Sequence, residues 1–221
     1  MTLFQSIAVV GAGAWGTALA NAAARAGRDI LLIARDADHA AEMAASRHNQ
    51  RRLPGVPLED RVIPTSDLAR VAETRAVLLV TPAQSCAGMA EALGLVLKPG
   101  TPVVLCAKGI DRASRLFLGD IIVDALPRQP FAVLSGPSFA DDVSRGLPTA
   151  VVLASADTII AEALAAALRA APCASITAPM CAASRLAGRP RMCWPLPAVP
   201  SSGAASARAR GQRWWRGALP N

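Results

Sequence analysis

Along the first 177 residues, short apolar runs alternate with alanine- and leucine-rich stretches of helical length. Runs such as SIAVV, ILLIA, VLLVT and VVLCA lack polar alternation, which is the pattern of strands buried on both faces. They predict strands near Ser6–Val10, Ile30–Ala34, Val77–Thr81, Val103–Ala107, Phe131–Leu134 and Ala150–Leu153. The stretches between them predict crossover helices, the first over Trp15–Ala26 and the last over Asp157–Ala171. Gly27 falls just past the first helix, where a residue without Cβ most easily takes a left-handed cap, and Ser155 or Asp157 opens the last as its N-cap. Strands alternating with helices predict an α/β fold, a doubly wound and mostly parallel sheet covered on both faces.

Two segments break both periods. His48–Asp60 (HNQRRLPGVPLED) is rich in Pro, Gly and Arg and reads as a surface loop returning to the sheet. Beyond Ile176 the character changes: Pro179, Pro190, Pro195, Pro197, Pro200 and Pro220 fall among Arg, Ala, Ser and Trp without an apolar period. Residues 1–177 are therefore expected to form one domain and residues 178–221 a disordered basic tail.

Charge sharpens that division. The chain carries a net charge of +7, and residues 178–221 hold seven Arg with no Lys, Asp or Glu, so the body is neutral and the tail holds the excess. One reading is a nucleic-acid or membrane-surface binder using those Arg with Trp214 and Trp215. Scattered Arg without a fold make that a weak case, and no nucleic-acid partner is expected. No apolar run approaches the roughly 18 residues that would suggest a membrane span, so no membrane insertion is expected. The chain opens into SIAVVGAGAWG without the features of a secretory signal, which predicts a cytoplasmic location. The five cysteines (Cys86, Cys106, Cys173, Cys181 and Cys193) form no CxxC pair and have no His near in sequence, so they read as core or bystander residues and no metal is expected.

The chemistry begins at Gly11-Ala12-Gly13-Ala14-Trp15-Gly16, a GxGxxG placed between an apolar strand and a helix. In a Rossmann-type dinucleotide fold Gly11 permits the tight turn, Gly13 lets backbone approach a pyrophosphate, and Gly16 lets helix and strand pack closely. The second strand ends in Ile33-Ala34-Arg35-Asp36. An Arg there suits the 2′-phosphate of NADP(H) and an acid the ribose hydroxyl of NAD(H), so NADPH is favoured and NAD(H) stays open. Lys108, one of two lysines in the chain, follows the strand VVLCA, where ligands of open parallel sheets bind. Its ammonium can hold a phosphate or polarise a carbonyl. Gly136 and Ser138, in SGPSFA after the strand FAVL, offer small residues and a hydroxyl on that same edge.

The segments GAGAWGTALA, NQRRLPGVPLED, SDL at Ser66–Leu68, PAQ at Pro82–Gln84, AKGI at Ala107–Ile110 and LSGPSFADDVSRGLPTAVVLAS at Leu134–Ser155 together resemble bacterial NAD(P)-dependent sn-glycerol-3-phosphate dehydrogenase. The match runs from about Ser6 to Thr177, and its last block is far more specific than the glycine loop. The resemblance implies reversible hydride transfer between NAD(P)H and dihydroxyacetone phosphate, supplying sn-glycerol 3-phosphate for phospholipid synthesis. It implies cofactor contacts from Ala14, Trp15, Arg35 and Ala140, contacts from Lys108 to cofactor and substrate, substrate binding by Gly136 and Ser138, and a homodimer. The architecture alone also fits a hydroxy-acid or nucleotide-sugar dehydrogenase, against which the Leu134–Ser155 block argues.

The departure from the family lies in the tail. The resemblance implies a following helical domain with a GG-x-x-KN motif whose lysine donates and accepts the proton, and an Arg-Asn pair on the phosphate. Residues 178–221 contain no lysine, so no catalytic general acid or base can be named. The acid-free Arg, Pro, Ala, Gly and Trp mixture reads as a GC-rich gene translated out of frame or wrongly joined. The alternative reading is a dinucleotide-binding fragment without catalysis.

Overall fold

The first strand, β1 (Ser6–Val10), runs into helix α1 (Ala14–Arg25), and β2 (Asp29–Ile33) returns beside it in parallel register, with Ile7 opposite Ile30 and Val9 opposite Leu32. The computed structural model describes residues 3–136 and 138–169 and the backbone of 174–179. All of these fall in one compact unit, Met1–Gly188. After β2 come α2 (Ala37–Ser46), a small antiparallel hairpin β3 (His48–Asn49) and β4 (Leu53–Pro57), and β5 (Val62–Thr65). A 3-10 turn over Leu68–Glu73 leads to β6 (Ala76–Leu79), then α3 (Cys86–Val96), β7 (Val103–Leu105), α4 (Leu118–Ala125) and β8 (Phe131–Ser135). The described chain ends with α5 (Ala140–Ser144), β9 (Ala150–Ser155), α6 (Thr158–Leu168) and β10 (Ala174–Pro179).

Among the described residues eight strands form one sheet in the order β5-β2-β1-β6-β7-β8-β9-β10. Every neighbouring pair is parallel except β8 with β9. Strand order reverses between β1 and β6, so the loops after β1 and β6 diverge and leave a crevice at the carboxyl edge. This is the doubly wound Rossmann-type α/β fold that the alternation predicts.

Side-chain alternation builds a core on each face. Ile7, Val9, Ile30, Leu32 and Leu78 pack with Leu19 and Ala23 of α1, Met43 of α2 and Leu164 of α6. Ala8, Val10, Leu31, Val77 and Leu79 pack on the other face with Ala90 and Leu93 of α3 and Ile122 of α4. Buried on both sides, these strands have no polar positions to alternate, which explains their continuous apolar runs.

Helix ends follow the sequence signals closely. Gly27 sits at φ 84°, and Asp157 caps α6 by accepting from the Ile159 and Ile160 amides at 3.0 and 3.1 Å. Several elements differ from expectation for physical reasons. β6 and β7 end at Leu79 and Leu105, before the predicted Thr81 and Ala107, because the chain leaves the ladder there to form the carboxyl-edge loops. β5 contains Pro64, which argues against a central strand; it lies at the sheet's edge, where a missing N–H is tolerated. His48–Asp60 is not only a surface loop, because it contains the β3–β4 hairpin and buries Asn49, Leu53 and Leu58. β10 extends through Ala178 and Pro179, two residues into the expected tail. The rest of that tail, with Cys181 and Cys193, lies outside the described residues, as does Cys173. Cys86 and Cys106 are buried, as core residues should be, and burial raises both thiol pKa values. No described helix is long and apolar enough to cross a membrane.

Candidate functional site

The glycine loop closes the carboxyl end of β1, and its three glycines answer to different demands. The Gly11 amide donates to the Ile33 carbonyl at 2.9 Å, and the residue sits at φ 119°. A Cβ on it would lie 2.7 Å from the Val80 carbonyl oxygen. A Cβ on Gly16 would lie 1.9 Å from the Gly11 carbonyl oxygen, which is where helix and strand meet. A Cβ on Gly13 would meet nothing within 4 Å, and its φ of −77° suits any residue. Among the described residues, the fold itself demands Gly11 and Gly16 and leaves Gly13 free of any such demand.

Helix α1 begins at that open position without help from its own side chains. Gly13 provides no side-chain cap, and the first turn carries no acidic residue. The positive end of the helix and its first amides therefore face the space beside Gly13, which suits a phosphate anion. The residues present thus fit a dinucleotide pyrophosphate. Trp15 is half-buried and packs against both the main core and the cluster of Ala18, Leu53 and Val143.

At the end of β2, Arg35 is exposed and makes no ion pair among the described residues. Asp36 is engaged instead: it caps α2 by accepting from the His39 amide at 2.7 Å, and its carboxylate lies 3.9 Å from Arg51. The His39 amide, with Arg51 assisting, holds the Asp36 carboxyl below its ordinary range.

The other candidates gather on the same edge. Lys108 Nζ, exposed after β7, donates to the Gly136 carbonyl at 3.4 Å, joining the β7 and β8 loops. Gln84 ties the β6 loop to the same region, donating to the Ile110 carbonyl and accepting from the Arg112 amide. Ser138 Oγ donates to the Ala150 carbonyl at 3.0 Å. Gly136 has a reason of its own to be glycine, since a Cβ would lie 2.6 Å from the Ala150 carbonyl oxygen on β9. Ala140 opens α5, which packs on α1. Arg25 of α1 fixes the end of α5 by donating to the carbonyls of Val143 and Ser144 at 2.7 and 3.1 Å.

Three residues at this site were not singled out from the sequence. Asn49 of β3 is fully buried, and its Nδ2 donates to the Ala12 carbonyl at 3.1 Å and to Thr17 Oγ1 at 2.7 Å. Its Oδ1 lies 2.8 Å from His39 Nε2, and Thr17 Oγ1 donates to the Gly13 carbonyl at 2.9 Å. An Asn in a run of polar residues gives no sign that it is buried, so only the packing of the hairpin on α1 exposes this network. A separate hollow of about 400 Å3, lined by Phe4, Arg75, Lys98 and Thr101 among others, lies at the amino ends of the strands. That is the wrong edge for a ligand of a parallel sheet.

The model of the family described as NAD-dependent glycerol-3-phosphate dehydrogenase N-terminus matches residues 6–161. A glycerol-3-phosphate dehydrogenase of the NAD(P)+ type from Bradyrhizobium sp. (strain ORS 278) is 58% identical over 165 residues, covering 75% of this chain and 50% of the relative. The one from Azorhizobium caulinodans is 58% identical over 168 residues, covering 76% of this chain and 51% of the relative. Among solved structures, glycerol-3-phosphate dehydrogenase from Coxiella burnetii superposes with a TM-score of 0.75 at 33% identity, over 80% of this chain and 54% of that one. The chain spans about half the length of the curated relatives it matches.

Proposed function

Because this chain belongs to the family described as NAD-dependent glycerol-3-phosphate dehydrogenase N-terminus, we propose that it holds the dinucleotide for reversible hydride transfer between NAD(P)H and dihydroxyacetone phosphate, yielding sn-glycerol 3-phosphate for glycerophospholipid synthesis. The observation that carries this reading is Gly13, a glycine that nothing among the described residues requires, set at a helix start without a side-chain cap. When bound, the dinucleotide supplies or takes up the hydride. The chain's own part is to bind and orient. Gly11 and Gly16 shape the turn, the Gly13, Ala14 and Trp15 backbone meets the pyrophosphate, and Ala140 at the start of α5 borders the same ligand. Lys108 spends one of its three N–H donors on Gly136 and keeps two, directed by charge toward cofactor and substrate phosphate. Gly136 offers backbone to the substrate. Ser138 has given its proton to Ala150, so it meets a substrate hydroxyl as an acceptor.

For the cofactor, NADPH is the favoured form. The acid that would select NAD(H), Asp36, is committed to capping α2, whereas Arg35 is exposed and unpaired among the described residues. The lysine that the resemblance assigns to proton transfer belongs to the half of the relatives this chain does not span, so binding is the decisive measurement. Calorimetric titration of the full chain should show NADPH binding more tightly than NADH. Arg35→Ala should weaken NADPH by about 10- to 100-fold, the worth of a charge-assisted pair of about 1.5–3 kcal/mol, and leave NADH nearly unchanged. Failure of both nucleotides to bind overturns the functional reading; equal losses for both overturn the NADPH preference alone.

A further inference from the structure

Asn49 is a buried amide in a hairpin whose other buried residue is the apolar Leu53, and each of its side-chain hydrogen bonds has a fixed direction. Both Nδ2 hydrogens are spent, on the Ala12 carbonyl and on Thr17 Oγ1. Its Oδ1 can only accept, so the facing His39 Nε2 must carry a proton. Thr17 Oγ1, accepting from Asn49, must pass its own hydrogen to the Gly13 carbonyl, which also accepts from the Thr17 amide at 2.9 Å. Donation therefore runs one way, from His39 through Asn49 and Thr17 to two carbonyls of the glycine loop.

That direction has a geometric consequence. In a planar trans peptide the N–H of one residue points opposite the carbonyl of the residue before it. Holding the Ala12 and Gly13 carbonyls toward Asn49 and Thr17 turns the Gly13 and Ala14 amides away from them. Those are the amides an anion at this helix start needs. The hairpin is fixed to α1 a second time: Asn21 Nδ2 donates to the Pro57 carbonyl at 2.8 Å, and Asn21 Oδ1 accepts from the Glu59 amide at 3.1 Å. The hairpin is thus fixed to α1 through Asn49 of β3 and at the end of β4, and the His39 backbone amide ties the same network to Asp36, beside Arg35.

We infer that Asn49 and Thr17 are positioning residues for the pyrophosphate of the bound dinucleotide, acting through the Ala12–Gly13 and Gly13–Ala14 peptides without touching the ligand. The inference rests on the dinucleotide reading above. It is tested by calorimetric titration of the full chain with NADPH, comparing the wild type with Asn49→Ala, Thr17→Val and Thr17→Ser, each checked for cooperative melting above the assay temperature. Asn49→Ala and Thr17→Val should weaken binding at least tenfold. Thr17→Ser, which keeps the hydroxyl and loses only a methyl group, should stay within about threefold, a rescue that a purely space-filling role of Thr17 would not give. If Asn49→Ala does not fold, the near-isosteric Thr17→Val and Thr17→Ser pair decides. Wild-type affinity in Thr17→Val, or an equal loss in Thr17→Ser, overturns the positioning role while leaving dinucleotide binding intact. A wild-type chain that binds neither NADPH nor NADH overturns both.

Discussion

The three glycines of the loop differ in what a methyl group would cost. At Gly16 the added Cβ meets a backbone oxygen at 1.9 Å, and neither the helix nor the strand can retreat without opening the core between them. Gly16→Ala should cost about 3 kcal/mol or more and lower the melting midpoint by roughly 6–12 °C. At Gly13 the Cβ enters open space at an ordinary φ, so Gly13→Ala should change stability by less than about 1 kcal/mol, the scale of an N-cap exchange. It should nonetheless lose most of its NADPH affinity, because the methyl group fills the approach to the helix start. Thermal melts and NADPH titrations of the two variants separate the demands; a Gly13→Ala chain that binds like wild type would show that the open space is not used. The tight turn at Gly11 and the close packing at Gly16 were legible in the sequence because spacing between strand and helix fixes them. Asn49 and Thr17 were not, since their importance depends on which polar side chains the hairpin buries.

Elements were legible wherever burial on both faces produced an unbroken apolar run, as in β1, β2 and β6. They were not legible where a strand lies at an edge or makes few contacts: β5 carries Pro64, and the β3–β4 hairpin pairs only briefly with a bulge between His48 and Asn49. The antiparallel setting of β9 on β8 also escapes periodicity, because burial alone does not record strand direction. The start of α2 gives a pH test at this scale. The His39 amide holds the Asp36 carboxyl below its ordinary value, so the charged cap favours the folded state. That contribution is complete above the unfolded value of about 3.9 and is lost as pH falls through the lower folded value. The stability gap between wild type and Asp36→Ala, followed by denaturant midpoints, should stay constant above about pH 5 and close only below about pH 4. A gap that closes near neutral pH would assign the cap's effect to another group.

Across the whole molecule, the carboxyl edge combines the proposed ligand contacts with exposed apolar side chains. Ile110 and Leu116 flank the loop after Lys108, and Phe139 and Leu147 bracket α5; they are 48%, 47%, 74% and 47% exposed. Apolar surface contributes about 25 cal/mol per Å2 when removed from water, so a few hundred Å2 left bare is comparable with much of a domain's net stability. The proposed ligand edge thus carries bare apolar surface of its own, and a ligand spanning the loops after β1, β2, β7 and β8 should act as a clamp on it. A dinucleotide that binds only the folded chain adds RT ln(1 + [L]/Kd), about 2.7 kcal/mol at a hundredfold excess over Kd. For a domain of this size that corresponds to a rise of roughly 5–11 °C in the melting midpoint. The rise should grow with the logarithm of NADPH concentration, be smaller for NADH at equal concentration, and shrink in Arg35→Ala and Thr17→Val in step with their affinities. A midpoint that shifts equally in all of these variants would mean that the nucleotide stabilises the chain from some place other than this edge.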